Sequence, residues 1–273
     1  MVPMNILHAI ILGAIEGITE FLPISSTGHM ILASRLLGIP STEFLKTFEI
    51  FIQLGAIFAV LALYFRRLIT SMDTIKKVAI AFIPTAIIGL VLHDFVKRYL
   101  LASPLVVSIS LIVGGLLIIW FEKWNAKKGN QSFSEQDDNK NSNKNLNINY
   151  VQAIKVGLYQ SIAMIPGVSR SAATIIGGQI SGISRIQIVE FSFFLAIPTM
   201  FAAAILDLYK GVGDIGSNEI LLLATGFITA FIVAIIAIKG FLSYIQKHNF
   251  IGFAIYRIVI GVLFLVLLYY MGF

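Results

Sequence analysis

Apolar residues fall into eight blocks along the chain, at roughly 5–37, 44–65, 78–96, 104–121, 151–183, 188–208, 220–239 and 250–271. Six of these are close to the length of about 20 residues that a helix needs to cross a bilayer, and they read as simple spans. The other two, 5–37 and 151–183, are longer, interrupted by proline and studded with polar groups. No block alternates apolar and polar residues with the period of a β-barrel strand. The pattern predicts an all-α polytopic membrane protein.

Composition sharpens this picture. The 273 residues are 58% hydrophobic and 12% charged, where a soluble domain carries about 25% charged residues. The mean hydropathy is +0.89. Cysteine is absent, which excludes disulfides and thiolate metal sites. The first residues lack a basic n-region and an A-x-A site, so no cleavable signal peptide is expected. The net charge of +6 does not point to nucleic acid, because the cations sit at the ends of apolar blocks, where they act as topology signals. Arg66, Arg67, Lys76 and Lys77 crowd the 66–77 loop, and Lys239 and Lys247 fall in the 239–249 loop. Lys123, Lys127, Lys128, Lys140 and Lys144 lie within 122–149, a stretch rich in Asn, Lys, Ser and Asp that reads as a polar linker. These segments are expected on the cytoplasmic side, and the 209–219 loop, with Asp214 and Glu219 against Lys210, outside.

The linker separates two halves, 1–121 and 150–273, that resemble each other. A shift of 144 residues lays Gly13 on Gly157, Glu16 on Gln160, Ser25 on Ser169 and Thr27 on Ser171, while Pro23 and Pro166 miss by one position. This reads as an internal duplication. If each interrupted block is a hairpin that enters and returns, three crossings remain per half and the second half is upside down. The expected fold is then two inverted-topology repeats, each a re-entrant helical hairpin plus three transmembrane helices. Hairpin 5–37 would enter from outside and hairpin 151–183 from the cytoplasm, their tips meeting at a midplane site.

The chemistry is concentrated in those two hairpins. The first reads "EGITEFLPISSTGH", Glu16 to His29. Glu16 and Glu20, one helical turn apart, share a face. Each costs about 2.5–3.5 kcal/mol at the bilayer centre, and more as a like-charged pair. The pair suits either a divalent metal or acid–base work. Pro23 breaks the helix, and Ser25, Ser26 and Thr27 then stand where an N-cap belongs, ahead of an apolar helix whose free N–H groups suit phosphate. The second hairpin breaks at Pro166-Gly167 and reopens with Ser169-Arg170-Ser171, running on past Thr174. Arg170 has a planar fork that matches phosphate oxygens, and also suits a structural pair with Glu16 or Glu20. Glu49, Gln53, Arg185 and Glu190 are candidates for supporting roles, His93 and Asp94 sit at a span end, and Tyr256 and Arg257 head the last span as candidate anchors. His8 and His248 carry no neighbouring constellation.

"EGITEFLPISSTGH" and "PGVSRSAAT", with "FEIFIQLGAI" and "EFSFFLAIPTM", resemble the bacterial undecaprenyl-diphosphate phosphatase family of the bacitracin-resistance type. The resemblance runs over nearly the whole chain apart from 122–149. It implies hydrolysis of a C55 polyprenyl diphosphate to the monophosphate and inorganic phosphate, which recycles the lipid carrier for peptidoglycan synthesis. It also implies a multi-pass protein of the bacterial inner membrane, a periplasm-facing site and a divalent cation, Mg2+ or Ca2+. The family's acidic motif falls on Glu16 and Glu20, its serine–histidine motif on Ser25, Ser26, Thr27 and His29, and its arginine motif on Ser169, Arg170, Ser171 and Thr174. Ala172 and Ala173 follow where a glycine often occurs. Ser26 is the candidate nucleophile, with His29 or Glu20 as its base; His29 itself or a directly attacking water are the rivals. Arg170 would neutralise the diphosphate with the helix N-termini, and Glu16 and Glu20 would hold the metal. Broken helices in inverted repeats also suit a polyprenyl-phosphate transporter or flippase. Monomer and homodimer both remain open.

Overall fold

The structure, a computed structural model, describes residues 4–96, 100, 103–127, 146–211 and 216–271. Two short helices open each half. They are α1 (Ile6–Thr19) and α2 (Ser26–Leu36) in the first, α6 (Tyr150–Ser161) and α7 (Arg170–Ile180) in the second. Six longer helices complete the chain: α3 (Glu43–Thr70), α4 (Met72–Phe95), α5 (Pro104–Lys127), α8 (Arg185–Gly211), α9 (Ser217–Ile245) and α10 (Ile251–Met271). All six are long and apolar enough to cross a membrane, so the chain is a multi-pass membrane protein. Several run past the ends of the apolar blocks, α3 to Thr70 and α5 to Lys127. The reason is that Lys, Arg and Glu are good helix formers, so a helix continues into the charged ends where hydropathy has already fallen. Residues 122–127 of the expected linker therefore belong to α5. Residues 146–149 lead into α6 with Leu146 and Ile148 buried. The rest of the linker, with Lys128, Lys140 and Lys144, lies outside the described residues, as do Asp214 and the side chains of His93, Asp94 and Lys210.

The spacing of 144 residues recurs in the local geometry of the two short-helix pairs. Asn5 caps α1 by accepting from the His8 N–H, and Asn149 caps α6 by accepting from Gln152. At the other end, Gly38 (φ 68°) and Gly182 (φ 85°) terminate α2 and α7 in the positive-φ turn that glycine favours. The following amides, Ile39 and Ile183, each reach back to a carbonyl five residues earlier, on Ser34 and Gly178. Between the short helices the chain is interrupted in both halves, after Thr19 and after Ser161.

The first helix of each pair packs on the opposite half. α1 lies against α9 and α6 against α4, while α3 meets α8 and α9, and α5 meets α10. Gly13 and Gly157 make the first two contacts close. A Cβ on Gly13 would come within 2.6 Å of the Gly226 carbonyl of α9, and one on Gly157 would overlap the Ala81 carbonyl of α4. The largest apolar cluster, with Phe21, Ile175, Phe191, Phe193, Phe194 and Phe241, fills the space between the halves. Phe21, in the first break, sets its ring edge-on to Phe193 of α8 at 5.4 Å. Phe21 thereby packs the first break against the second half.

Candidate active site

Ser25 and Ser169 open the site. They precede α2 and α7, and are the described non-glycine residues with positive φ, 71° and 77°. Such backbone costs energy for an L-residue and persists where the surroundings over-determine it. Each side chain caps its helix, Ser25 accepting from the Gly28 amide at 3.5 Å and Ser169 from Ala172 at 3.3 Å. The helices so begun carry first-turn N–H groups with no intrahelical partner and a partial positive charge.

Across the gap the two breaks bond to each other. Ser26 Oγ donates to Glu20 Oε2 at 2.5 Å, and Arg170 Nη2 bonds Glu20 Oε1 at 3.2 Å. Arg170 Nη1 donates to the Ser192 carbonyl at 2.9 Å, its Nε is buried without a partner, and its guanidinium lies 5.9 Å from the Phe21 ring. Ser171 Oγ donates to the Leu22 carbonyl at 2.7 Å. A cavity of about 240 Å³ opens here, with Glu20, Ser25, Ser26, Thr27, Ser169 and Arg170 in its wall. Pro166, Gly167, Met164, Met200 and Ala203 supply an apolar side. A carboxylate, several hydroxyls, a guanidinium and two helix N-termini thus converge on a space large enough to hold phosphate.

The bacitracin resistance protein BacA family model matches residues 9–263. The chain belongs to that family. Among its relatives, the undecaprenyl-diphosphatase of Wolinella succinogenes is 49% identical over 262 residues, 96% of this chain and 98% of that protein. Those of Bdellovibrio bacteriovorus and Aquifex aeolicus are 48% and 47% identical, over 97% and 94% of this chain and 97% and 96% of their own lengths.

Within this family member, the residues singled out by the sequence divide into two groups. Glu20, Ser25, Ser26, Thr27, Ser169 and Arg170 line the cavity together. Glu16, His29, Ser171 and Thr174 stand behind it. His29 is turned away, its Nδ1 on the Ser25 carbonyl at 2.7 Å and its Nε2 on the Tyr256 hydroxyl at 2.8 Å. A carbonyl can only accept, so Nδ1 carries the proton, and in the neutral ring Nε2 accepts from Tyr256. Thr174 bonds the Ser192 hydroxyl at 2.6 Å. Glu16 is buried with Oε1 unpartnered, beside the carboxylates of Glu20 and Glu49. Among the described residues no group of three or more His, Cys, Asp or Glu is arranged to hold a metal ion. Two neighbouring carboxylates, one with an orphaned oxygen, fit a hard divalent cation that takes its other ligands from phosphate and water, the usual manner of Mg2+.

Other polar residues of the site carry little sequence signal. Gln160 donates through Nε2 to both Thr85 and Thr199, each at 3.0 Å, and all three face the cavity with Gln53. The signal that finds them is paired. Gln160 lies 144 residues after Glu16, and the threonines close two "IPT" triplets, one in α4 and one in α8. Arg185 and Glu190 prove remote from the cavity. Arg185 Nη2 bonds both Glu122 oxygens, at 3.0 and 2.9 Å, and Glu190 accepts from Arg67 at 2.8 Å.

Proposed function

We propose that the chain is an integral-membrane phosphatase that hydrolyses undecaprenyl diphosphate to undecaprenyl phosphate and inorganic phosphate, as its relatives' names indicate of them. This activity recycles the lipid carrier and underlies resistance to bacitracin. The observation that carries the reading is the Ser26 Oγ–Glu20 Oε2 hydrogen bond of 2.5 Å, with Arg170 on the other oxygen of the same carboxylate. Ser26 Oγ attacks the terminal phosphorus in line, and Glu20 takes its proton. The bond from phosphorus to the bridging oxygen breaks, and undecaprenyl phosphate leaves as an anion. Water then attacks the phosphoserine, the bond from phosphorus to Ser26 Oγ breaks as Glu20 returns its proton to Oγ, and phosphate departs carrying the protons of the water. Arg170 and the N–H groups opening α2 and α7 stabilise the equatorial oxygens. Ser25, Thr27 and Ser169 contact the substrate from the wall, while Ser171 and Thr174 hold Arg170 in position. His29 holds the Ser25 carbonyl, which favours Glu20 over His29 as the base.

Glu16 with Glu20 would hold the divalent cation, Mg2+ or Ca2+, which when bound supplies charge neutralisation for the diphosphate. The site opens to the periplasm of the inner membrane, and the repeats, 1–121 and 150–273 on either side of the 122–149 linker, are inverted. The matched caps, positive-φ serines and cross-packed helices support this arrangement. The reading is tested with purified protein in detergent. Phosphate release from undecaprenyl diphosphate is expected to disappear in Ser26→Ala, and acid quenching of the wild type to leave phosphate on Ser26. Phosphate trapped on His29 instead would overturn the assignment of the nucleophile.

A further inference from the structure

Arg257 of α10 is fully buried, with 0% of its surface exposed, and has no carboxylate partner among the described residues. A lone cation inside a membrane protein is costly, and calls for a reason. Its partners are four main-chain carbonyls. Nη1 donates to Pro23 at 3.1 Å and Nη2 to Gly167 at 2.9 Å. Nη2 also reaches Ser110 at 3.3 Å, and Nε reaches Leu111 at 3.4 Å, both on α5. Pro23 and Gly167 are 144 residues apart, so the two strong bonds go to equivalent atoms of the two breaks. Each carbonyl lies two residues before a positive-φ serine, and those serines are followed directly by Ser26 and Arg170. In the breaks such carbonyls lack a helical partner, and leaving them unsatisfied in a membrane costs several kcal/mol.

Resting on the phosphatase reading, we infer that Arg257 is a positioning residue that fixes the register between the two breaks, and so the placement of Ser26 against Arg170. One rigid fork reaches both, which a flexible ammonium or an apolar side chain does not reproduce. Gly114 of α5 makes room for it, since a Cβ there would overlap the guanidinium. Arg257 is not in the cavity wall and does not touch the substrate. Its contribution therefore falls on the geometry of the reacting groups rather than on affinity. Tyr256, beside it on α10, holds His29 and through it the Ser25 carbonyl, so α10 steadies the first break at two points.

The test compares Arg257→Lys, Arg257→Met and Gly114→Ala with the wild type, measuring kcat and KM for phosphate release from undecaprenyl diphosphate and the thermal midpoint in detergent. Misplacement by about 1 Å costs about 100-fold in rate, so Arg257→Met is expected to lose about that in kcat with KM within about twofold. Arg257→Lys and Gly114→Ala are expected to lose about tenfold in kcat per folded molecule, with a lowered thermal midpoint. Combining Arg257→Lys with Ser171→Ala, which removes the other main-chain tie between the breaks, is expected to cost more than the product of the single losses. Should Arg257→Met fail to fold, the Lys and Gly114 variants decide. Variants with wild-type kcat per folded molecule, or with a raised KM and unchanged kcat, overturn the inference while leaving the phosphatase reading intact. A wild type that releases no phosphate overturns that reading and the inference with it.

Discussion

Glu20 occupies the pivotal position among the side chains because each of its oxygens has a different partner, Ser26 on one and Arg170 on the other. Removing its charge should therefore do two things at once, depriving Ser26 of a base and releasing Arg170. Glu20→Gln is expected to lower kcat for phosphate release by about 10²–10⁴-fold, the range of a general base. His29→Gln, by contrast, removes a group whose two ring nitrogens are both engaged away from the cavity. Its expected loss is about tenfold, and steady-state kinetics on the two variants side by side measure the difference. Equal losses would return His29 to the reacting atoms. Glu16, Glu20, Ser26 and Arg170 were legible in the sequence because charge and hydroxyl groups beside a proline stand out in an apolar block. Arg257 stood out only as a candidate anchor, and Thr85 and Ser192 did not stand out. Each is a polar residue inside a span whose partner belongs to another segment, 234 residues away for Arg257 and Pro23. Local pattern carries no record of such pairs.

The short helices depend on how their first residues are held. Ser169 has a backbone better suited to glycine and a side chain that caps α7, so the two effects oppose each other when it is replaced. Ser169→Ala keeps the strained φ and removes the cap, and is expected to destabilise the protein by about 1 kcal/mol. Ser169→Gly removes the cap too, at a few tenths of a kcal/mol, but relieves strain of about 1 kcal/mol or more. Thermal midpoints in detergent are expected to rank Gly above Ala; the reverse order would mean that the surroundings impose no strain at this position. The helix breaks themselves were read correctly from Pro23 and Pro166-Gly167, as proline and glycine interrupt a helix for local reasons. Helix ends were read less well. Charged residues close an apolar block without closing the helix, which is why α3 and α5 overrun it. The packing partner of each short helix was not legible at all, because Gly13 and Gly157 mark a close approach but not what approaches.

At the scale of the whole molecule the proposed duplication becomes a prediction about orientation. If each half crosses three times, as proposed, equivalent positions of the two repeats end on opposite sides of the membrane. With an even number of crossings they would share a side. The turns closing α2 and α7 provide the cleanest comparison, because Gly38 and Gly182 and the amides after them adopt matching conformations. Ser41 and Ser184, just beyond those turns, are both exposed, and the chain has no cysteine to confuse a label. By the positive-inside rule the 66–77 and 239–249 loops, with Arg66, Arg67, Lys76, Lys77, Lys239 and Lys247, are expected in the cytoplasm. Ser41, one span away from the first of them, then belongs outside, and Ser184, at the other end of α8, inside. A membrane-impermeant maleimide added to intact spheroplasts is expected to label Ser41→Cys at once and Ser184→Cys only after permeabilisation. Labelling of both from the same side would remove the inversion, and with it the argument that the first hairpin carries Ser26 to a site opening on the periplasm. Opposite labelling would tie the polarity of the site to the charge pattern of the loops, leaving the cavity between the two breaks as the point where both repeats contribute one half of the phosphate chemistry.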